Sequence, residues 1–493
     1  MGPSLVPEFM NKSLRTVFDV YVFAYAFFFA ARPLSDGDFW WHLKTGEYII
    51  NTHSIPKTDF FSFTNYGRAW VAHEWLSEAI FYVIYSRFGF DVLIVGFAIL
   101  TALAFWIAFK RSVSHPVIGG FATFLGVWTV LPTIGVRPRV FTLLLSSIYL
   151  ALLARYVRRG DGRYLWWLVP LMALWVNLHG GFLIGLVLIG LIMVGVPLDA
   201  WARGERFNST WPQLRTLAMV LVGCALAVLL NPHGIWIYKF PFEIFLSPIQ
   251  QQTVNDWLSP DFHQSEAMPL VILISLTIAA LALAPKRVRP SELLLFIATL
   301  YMTLKSQRHM AILALVAVPL LADYLQNWVT ERSNGRIFSP AISGSGQTRK
   351  SIIFAVLLVV PLIAFAAKLK TTIFDQARQD LMKVPVAAVD HLKKANITGN
   401  TFTEPNIWGG YVLWALPSSP VYIDGRIDMY GDDFVGDYLN IIWGRTDWRE
   451  PFDRYGVRIA IIQPNSTLSH ELSETKEWSR VFEDDTAVVF VRS

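Results

Sequence analysis

The chain alternates long apolar stretches with short polar connections, and this pattern predicts a series of membrane-spanning helices. A helix needs roughly 20 apolar residues to cross about 30 Å of hydrocarbon. Stretches near that length recur along the chain and predict about eleven spans. These are residues 15–33, 90–109, 117–133, 140–156, 164–178, 182–199, 215–231, 268–285, 291–305, 309–327 and 351–368. The short pairs around Pro132 and His179 are also compatible with broken hairpins.

Composition supports a membrane protein. Of the 493 residues, 54% are hydrophobic and 16% charged, whereas an ordinary soluble domain has about 25% charged residues. Because this number of charges is too small to cover a water-exposed surface of this size, lipid must solvate much of the chain. The net charge of +5 lies mostly in short loops and requires no nucleic-acid partner. The single cysteine, Cys224, lies in an apolar run and says nothing about compartment.

The loops between the predicted spans alternate in charge and thereby predict an orientation. One set is rich in Lys and Arg, as cytoplasmic loops are. It contains Lys12, Arg15, Lys110, Arg111, Arg155, Arg158, Arg159, Arg163, Arg203, Arg206, Arg215, Lys286, Arg287, Arg289, Arg332, Arg336, Arg349 and Lys350. With the N-terminus inside and an odd number of spans, the C-terminal region lies outside.

The same alternation predicts the domain organisation. Residues 1–9 are interpreted as a cloning remnant before a natural start at Met10. Residues 10–369 form the predicted membrane domain, and residues 370–493 form an extracytoplasmic domain. Two long outer loops, residues 34–89 and 231–267, carry most of the unusual polar residues. Function is therefore expected at the outer membrane boundary.

The C-terminal region alternates helical and extended patterns and predicts a small α/β domain. Helices are expected at 385–395 and 433–443, and strands at 421–423, 459–462 and 487–491. Two unusual segments stand out, one containing Trp408 and Tyr411 and one containing Asp424, Arg426 and Asp428. The latter three would share one face of an extended segment. Acceptor contact and an internal salt-bridge network explain them equally well.

The first outer loop opens with two carboxylates and a run of aromatic residues. Asp36 and Asp38 directly follow a predicted span, where a carboxylate is costly unless water reaches it or a site uses it. Two nearby carboxylates can hold a metal ion, or divide into a general base and its tuning partner. Trp40, Trp41 and His42 follow, and the Trp pair suits the membrane interface. The alternative to a site is a solvated turn with an aromatic anchor.

Later in this loop, His73 and Glu74 begin an apolar stretch that ends at Tyr85. The stretch predicts an amphipathic helix at the membrane surface. The two side chains could provide metal ligands or a second acid–base pair. A helix cap on the membrane surface explains them equally well.

Four cations depart from the charge bias because they lie at the outer ends of spans: Arg137, Arg139, Lys305 and Arg308. Guanidinium groups bind phosphate through paired hydrogen bonds, so these cations could hold a lipid phosphate at headgroup depth. Snorkelling to phospholipid headgroups is the simpler alternative. Further candidate substrate contacts in the outer turns and loops are Asn177, His179, Asp256 and His309. A lone His in a tight turn is, however, commonly structural.

The layout and three motifs resemble the GT-C glycosyltransferase superfamily, and in particular bacterial GT-C-like membrane proteins. The motifs are D-x-D-x-W-W-H-L at 36–43, W-x-N-L-H-G-G at 175–181 and D-G-R-x-D-x-Y at 424–430. The resemblance implies a bacterial inner-membrane enzyme that moves a sugar from a polyprenyl-phosphate carrier to a glycan, lipid or protein acceptor. An acidic residue of the first outer loop would be the base, with Asp38 the best match and Asp36 the alternate.

Other implications of the resemblance concern metal and acceptor. Oligosaccharyltransferases of this superfamily need a divalent cation such as Mg²⁺ or Mn²⁺, whereas several other members do not. Asp36, Asp38 and Glu74 are the candidate ligands here. The segment from Trp408 to Tyr411 is loosely similar to the W-W-D-Y-G acceptor motif of oligosaccharyltransferases but lacks its central aspartate.

Two other functions would use many of the same residues. A lipid-linked ligase or phosphoryl transferase would need the same cations and carboxylates, and product mass would distinguish it from a sugar transferase. A lipid or sugar transporter is less favoured, because transporters commonly show internal repeats and polar residues at the membrane midplane. Here the unusual residues concentrate on one face.

Overall fold

The structure is a computed structural model that describes residues 8–34, 36–334 and 384–493, with isolated positions 363, 366, 367 and 370. The predicted span 351–368 therefore lies almost wholly outside the described residues, as does the boundary predicted at residue 370.

Helices dominate the described chain before residue 335. In order they are α1 (Glu8–Ala30), α2 (Phe39–Thr52), α3 (Trp75–Arg111), α4 (Pro116–Thr129), α5 (Arg139–Arg159), α6 (Leu168–Leu178), α7 (Leu183–Ala202), α8 (Trp211–Val228), α9 (Phe240–Leu246), α10 (Pro248–Thr253), α11 (Met268–Leu283), α12 (Pro290–Lys305) and α13 (Met310–Arg332).

Six helical stretches within the described residues are long and apolar enough to cross a membrane. Counted with adjoining 3₁₀ turns, they are Trp75–Arg111, Arg139–Arg159, Gly180–Ala202, Phe207–Val228, Ser265–Leu283 and Gln307–Arg332. The chain is thus a polytopic helical membrane protein with about six candidate spans. The predicted first span coincides with α1, of 23 residues, and three other predicted spans coincide with the shorter helices α4, α6 and α12, of 14, 11 and 16 residues. These three shorter helices rise only about 17–24 Å, so the count of eleven stays a prediction.

Helix α3 contains a break that separates a predicted surface helix from a predicted span. Gly89 has φ 77° and ψ −173°, a backbone conformation outside the helical region that essentially only glycine adopts. The residues before it include the stretch up to Tyr85, and those after it include the span predicted from residue 90. The sequence thus located both parts of this element.

The chain forms two compact units, each built from separated segments. The bundle unit comprises Met1–Arg32, Ile94–Gly234 and Asp256–Phe374. The mixed unit comprises Pro33–Leu93, Ile235–Asn255 and Asp375–Ser493. The sequence assigned the first outer loop to the membrane domain, whereas in the structure its residues cluster with the C-terminal region.

Close helix packing organises the described part of the bundle unit. Helix α4 packs against α13, where Gly126 touches Val318 so closely that any larger residue would overlap it. Helix α7 packs against α12, and the carboxylate of Asp199 accepts hydrogen bonds from the backbone N–H and hydroxyl of Ser291 at 2.8 and 2.7 Å. This buried carboxylate satisfies the beginning of α12, where backbone N–H groups lack helical partners.

The mixed unit contains a four-stranded sheet in the order β1-β2-β4-β3. The strands are β1 (Thr401–Thr403), β2 (Ile459–Ile462), β3 (Trp478–Glu483) and β4 (Val488–Arg492). β1 pairs with β2 in parallel, and the other two pairings are antiparallel. The strands predicted at 459–462 and 487–491 are confirmed. The strand predicted at 421–423 is wrong, because Val421 forms only isolated bridges with Ser62 and Thr401.

Along the chain, helices lie before and between these strands. They are α14 (Val386–Lys394), α15 (Ile407–Ala415), α16 (Ile427–Tyr430), α17 (Asp432–Ile442), α18 (Arg449–Arg454) and α19 (Thr467–Ser473). The helices predicted at 385–395 and 433–443 are confirmed by α14 and α17. The sequence missed α15, whose apolar residues lack a helical period, and the short elements α16, α18 and α19.

Candidate functional site

Asp38 stands immediately before α2, in a turn that its neighbours fix. Its carboxylate accepts a hydrogen bond from the indole N–H of Trp41 at 3.2 Å, and its own N–H donates to Asp36 at 3.2 Å. A side chain at Gly425 would overlap the Asp38 carboxylate, so the glycine admits this close approach. Asp36 and Asp38 are both partly exposed. Asp38 therefore has a defined position and remains reachable by a substrate.

The aromatic residues that follow Asp38 lie in the core of the mixed unit. Trp40 and Trp41 are buried, and Trp40 packs edge-on against Tyr411, with ring centroids 5.0 Å apart. The expected interfacial Trp pair is thus wrong, because these rings fill the space between α2 and the buried α15.

Behind this turn, imidazole and carboxylate groups alternate in a buried chain. His42 Nδ1 lies 3.2 Å from Glu78 Oε1, and His42 Nε2 lies 3.6 Å from Glu74 Oε2. His73 Nε2 lies 3.4 Å from the other oxygen of Glu74. The order Glu78, His42, Glu74, His73 can distribute a proton among four groups. We call these residues the His–Glu chain.

The charges in the His–Glu chain favour protonated imidazoles. Burial alone would lower the pKa of His42, but the hydrogen bond to Glu78 and the charges of Glu74, Glu78 and Asp38 raise it to about 8. For His73, burial is again outweighed, by Glu74 and then by Asp428, and the pKa is raised. The His–Glu chain therefore places positive charge, near neutral pH, close to the turn that contains Asp36 and Asp38.

Three residues of the D-G-R-x-D-x-Y motif, Asp424, Arg426 and Tyr430, form an internal polar network. Arg426 is fully buried and donates to Asp424 at 2.6 and 2.9 Å, while its NH2 also lies 2.8 Å from Asp59. Tyr430 donates its hydroxyl to Asp424 at 3.0 Å. The Arg426 guanidinium also stacks 4.5 Å from the Trp70 ring centroid. Of the two explanations left open by the sequence, the structure has the internal network.

The expected common face of Asp424, Arg426 and Asp428 is wrong. The segment is not extended, because a short helix, Ile427–Tyr430, turns the chain. Asp424 and Arg426 consequently point into the network, whereas Asp428 is exposed.

The W-G-G-Y segment is a packing element in this structure. Trp408 and Tyr411 are buried, at 2% and 8% exposure. Gly409 lies directly against the carbonyl of Ile423, and a Cβ at Gly410 would lie 3.3 Å from the backbone N of Trp41. The two glycines thus let α15 approach the backbone beside Asp38.

In the bundle unit, the predicted outer cations surround Asp256. Arg139 forms an ion pair with Asp256, and the Ser306 hydroxyl donates to the Asp256 carbonyl at 2.9 Å. Burial would raise the pKa of Asp256, but Arg139, then Arg137 and Arg308, hold it below its usual value. The charges of the three arginines therefore all act on Asp256.

The K-S-Q-R-H turn completes this cationic group. Arg308 stacks 4.1 Å from the ring centroid of Trp257, and Gln307 N–H donates to Leu258 at 2.9 Å. Lys305 ends α12 and is exposed, while His309 is partly exposed at the start of α13. We call Arg137, Arg139, Lys305 and Arg308 the loop cations.

The N-L-H-G-G turn is held by internal hydrogen bonds. His179 Nδ1 accepts from Gly181 N–H at 2.9 Å and lies 2.8 Å from the Thr142 hydroxyl. Asn231 donates to the Asn177 side chain at 3.3 Å, and Asn177 itself donates to Ala173 at 2.7 Å. These contacts account for the polar residues of this turn as structural supports.

Among the residues that the structure describes, no group of three or more His, Cys, Asp or Glu side chains is arranged to hold a metal ion. Both oxygens of Glu74 face imidazole nitrogens, and Asp38 accepts an indole N–H. The candidate set Asp36, Asp38 and Glu74 therefore does not fit a divalent cation in this arrangement.

Two residues important to these arrangements were not singled out in the sequence. Glu78 lies four residues after Glu74, about one helical turn later, and this spacing could have indicated that both side chains lie on one face. Asp59 gave no such signal, because its partner Arg426 is more than 300 residues away in the chain.

Comparison with known proteins gives a match in structure. No protein-family profile and no curated protein sequence matches the chain. The archaeal oligosaccharyltransferase AglB from Archaeoglobus fulgidus, in complex with an inhibitory peptide and a dolichol-phosphate, matches with a TM-score of 0.56 and 12% identity. The match covers 93% of this chain and 70% of AglB.

ArnT from Cupriavidus metallidurans matches over nearly its whole length. The apo structure gives a TM-score of 0.53 at 13% identity, covering 96% of this chain and 97% of ArnT. The structure bound to undecaprenyl phosphate gives a TM-score of 0.51 at 13% identity, covering 99% and 98%. At these identities it is the fold that is shared: the chain has a GT-C-like fold, similar to that of membrane glycosyltransferases.

Proposed function

We propose that this protein is a membrane glycosyltransferase that moves a sugar from a polyprenyl-phosphate carrier to an acceptor hydroxyl. The observation that carries the proposal is the structural match to ArnT bound to undecaprenyl phosphate, which extends over 99% of this chain. AglB, with its bound dolichol-phosphate, supports the same donor class. The proposal includes the predicted eleven spans and bacterial inner membrane, with the N-terminus cytoplasmic and the mixed unit outside.

Asp38 is the proposed general base. It is partly exposed; its carboxylate accepts from the Trp41 indole, its backbone N–H donates to Asp36, and Gly425 leaves room for the carboxylate. A base must hold its proton-accepting oxygen in a defined place to act on a hydroxyl. The His–Glu chain supports this role because the charge of Asp38 helps to raise the pKa of His42, which places a protonated imidazole close to the proposed base.

The loop cations are the proposed phosphate clamp. Arg137, Arg139 and Arg308 exert their charge at one place, around Asp256. Guanidinium groups bind phosphate oxygens in pairs and stabilise the charge that a phosphate leaving group gains. Replacing either Arg137 or Arg308 is expected to weaken donor binding.

The proposed reaction is one displacement. The acceptor oxygen attacks the anomeric carbon as the glycosyl–phosphate bond breaks, and the bonding pair leaves with the polyprenyl phosphate. The hydroxyl proton passes to Asp38. One displacement without a covalent sugar–enzyme step inverts the anomeric configuration. A product that retains the donor configuration would contradict this scheme.

The decisive test compares wild type, Asp38→Asn and Asp485→Asn, using purified protein and radiolabelled polyprenyl-phosphate sugars. Asp485 is an exposed carboxylate of the mixed unit and serves as the matched control. We expect Asp38→Asn to abolish transfer while carrier binding and thermal unfolding stay unchanged, and Asp485→Asn to transfer normally. Equal transfer by all three would remove Asp38 from the mechanism and point to Asp36 or Glu74. Carrier translocation without transfer by wild type would favour a transporter.

A further inference from the structure

A cationic cavity lies in the bundle unit between α3, α5, α12 and α13. Its volume is about 300 Å³. Arg111 ends α3, Arg158 lies in the last turn of α5, Arg289 precedes α12, and Asp323 belongs to the second half of α13. Three of the loops predicted to be cytoplasmic from their positive charge thus contribute to one cavity.

Four cations and two carboxylates line this cavity. The cations are Arg111, Arg158, Lys286 and Arg289, and the carboxylates are Glu292 and Asp323. The cavity therefore has an excess of positive charge, and its two carboxylates are already engaged by the protein.

The carboxylates bind neutral groups. Asp323 accepts from the Ser112 hydroxyl at 2.6 Å and from the backbone N–H groups of Val113 and Ser114 at 2.8 and 3.1 Å. Glu292 accepts from the hydroxyl of Tyr324 at 2.8 Å. Asp323 thereby closes the α3–α4 turn.

The cations retain N–H groups that can donate hydrogen bonds to a ligand. Arg111 donates one N–H to the carbonyl of Leu315 at 2.8 Å, and Arg158 donates to the carbonyl of Arg111 at 3.0 Å. In the described ranges, no carboxylate lies within 4.0 Å of any of the four cations, and the buried Nε of Arg111 has no hydrogen-bond partner there. Clustered cations with unused donors are suited to a phosphate.

The opposite wall of the cavity is apolar. It is formed by side chains of α5, α12 and α13, including Leu153, Leu295 and Leu320. An inorganic phosphate ion has no apolar part that could pack against such a wall. A lipid phosphate, in contrast, has a charged head joined to hydrocarbon. Basic pockets between membrane helices on the cytoplasmic side bind anionic lipid headgroups in this way.

This cavity is separate from the loop cations. Arg139 begins α5 and Arg158 lies near its end, so the helix carries them about 28 Å apart. One lipid phosphate cannot contact both groups, since 28 Å is close to the full thickness of the hydrocarbon.

We propose that this cavity binds a lipid phosphate from the leaflet opposite the loop cations. Arg111, Arg158 and Arg289 hold the phosphate, and the leucine wall receives the beginning of the acyl chains. The site is a binding site for an anionic membrane lipid, distinct from the proposed donor site, and it stands whether or not the protein transfers sugars.

The test measures ligand-dependent thermal stabilisation of the full-length protein in neutral detergent. The probes are dihexanoyl phosphatidic acid, dihexanoyl phosphatidylcholine and inorganic phosphate at equal concentrations. The cavity variant is Arg158→Gln with Arg289→Gln. The matched control is Arg159→Gln with Arg287→Gln, which removes the same charge from exposed neighbours that do not line the cavity.

We expect phosphatidic acid to stabilise wild type and the control similarly, and its half-saturating concentration to rise at least about 10-fold in the cavity variant. Equal weakening in both double variants would reduce the effect to surface charge and overturn the site. Equal stabilisation by inorganic phosphate would assign the cavity to a free anion, and equal stabilisation by phosphatidylcholine would remove the role of charge. Either result overturns the lipid-phosphate assignment.

A milder substitution covers the case in which the cavity variant does not fold. Lys286 is exposed, so Lys286→Gln is expected to destabilise the protein less than the double cavity variant does. We expect it to weaken phosphatidic acid binding measurably while inorganic phosphate has no effect. Unchanged binding in Lys286→Gln, together with an effect of Arg287→Gln alone, would contradict the cavity as the binding place.

Discussion

Asp38 is held by its sequence neighbours Asp36 and Trp41, and the distant Gly425 provides the space that its carboxylate occupies. The carboxylate of Asp38 occupies the space where any side chain at Gly425 would lie. Displacement of a catalytic group by about 1 Å can reduce the rate by up to about 100-fold.

We therefore expect Gly425→Ala to reduce transfer by about 10- to 100-fold while carrier binding is retained. Gly190→Ala is the control, because a methyl group there meets nothing within 4 Å. Rates from radiolabelled transfer and affinities from carrier binding separate the two effects. Full activity in Gly425→Ala would show that the position of the Asp38 carboxylate is unimportant.

The raised pKa of His42 predicts that the stability of the protein depends on pH. Its pKa is raised from about 6.5 in the unfolded chain to about 8 in the fold, so the folded state favours protonated His42. The stabilisation is full below about pH 6.5 and is lost as pH rises through about 8, a difference on the order of 2 kcal/mol. The thermal unfolding midpoint should therefore fall between about pH 6 and pH 9 in wild type and fall less in His42→Gln. A steeper fall in the variant would contradict this assignment.

At this scale the sequence located candidate residues but not their contacts. Asp38 was selected because it follows a span and precedes large aromatic residues, and the structure gives it a fixed, accessible position. The burial of Arg426 between Asp59 and Asp424 was one of two open explanations. Nothing local could decide between them, because Asp59 comes from a distant segment.

Helices and strands were predicted correctly where their apolar pattern was long. The predictions failed where an element is determined by packing against distant residues and its own sequence pattern is weak. The strand expected at 421–423 has the right residues, but its neighbours at Ser62 and Thr401 provide single bridges instead of a ladder. The helix Ile407–Ala415 was missed because its central residues, Trp408 to Leu413, are all buried and its two glycines lie in close contact with other segments. Amphipathic period is absent when every face is covered.

The break in α3 gives a prediction for an element. Gly89 adopts a conformation that costs other residues about 1–3 kcal/mol, so Gly89→Ala should destabilise the protein by that amount. Gly96→Ala, further along α3, meets open space and should be neutral or stabilising by up to about 1 kcal/mol. Denaturant titration in detergent micelles measures both. Equal stability of the two variants would show that α3 can run straight through residue 89.

On the scale of the whole molecule, the charge bias predicts which ends of the helices share a side. Arg111, Arg158 and Arg289, from three basic loops, meet at one cavity, as a common side requires. The sequence could anticipate this because loop charge depends on composition alone. It could not anticipate the two units, since these depend on contacts between remote segments.

Labelling with a membrane-impermeant maleimide tests the orientation. The natural Cys224 is buried and should stay silent, so it provides an internal background. Arg445→Cys, in the exposed part of the mixed unit, should react in intact spheroplasts, whereas Arg287→Cys should react only after permeabilisation. The reverse pattern would place the mixed unit in the cytoplasm and contradict the proposed topology.

The mixed unit is assembled from three stretches of chain that leave the ribosome at very different times. The turn of Asp38 emerges among the first 100 residues, yet Gly425 and Arg426, which complete its surroundings, emerge among the last 100. During synthesis Asp59 must wait without its guanidinium partner while more than 300 further residues are made and inserted. Maturation of this unit is consequently post-translational, and a chain lacking its final segment would reach the membrane without a finished acidic turn.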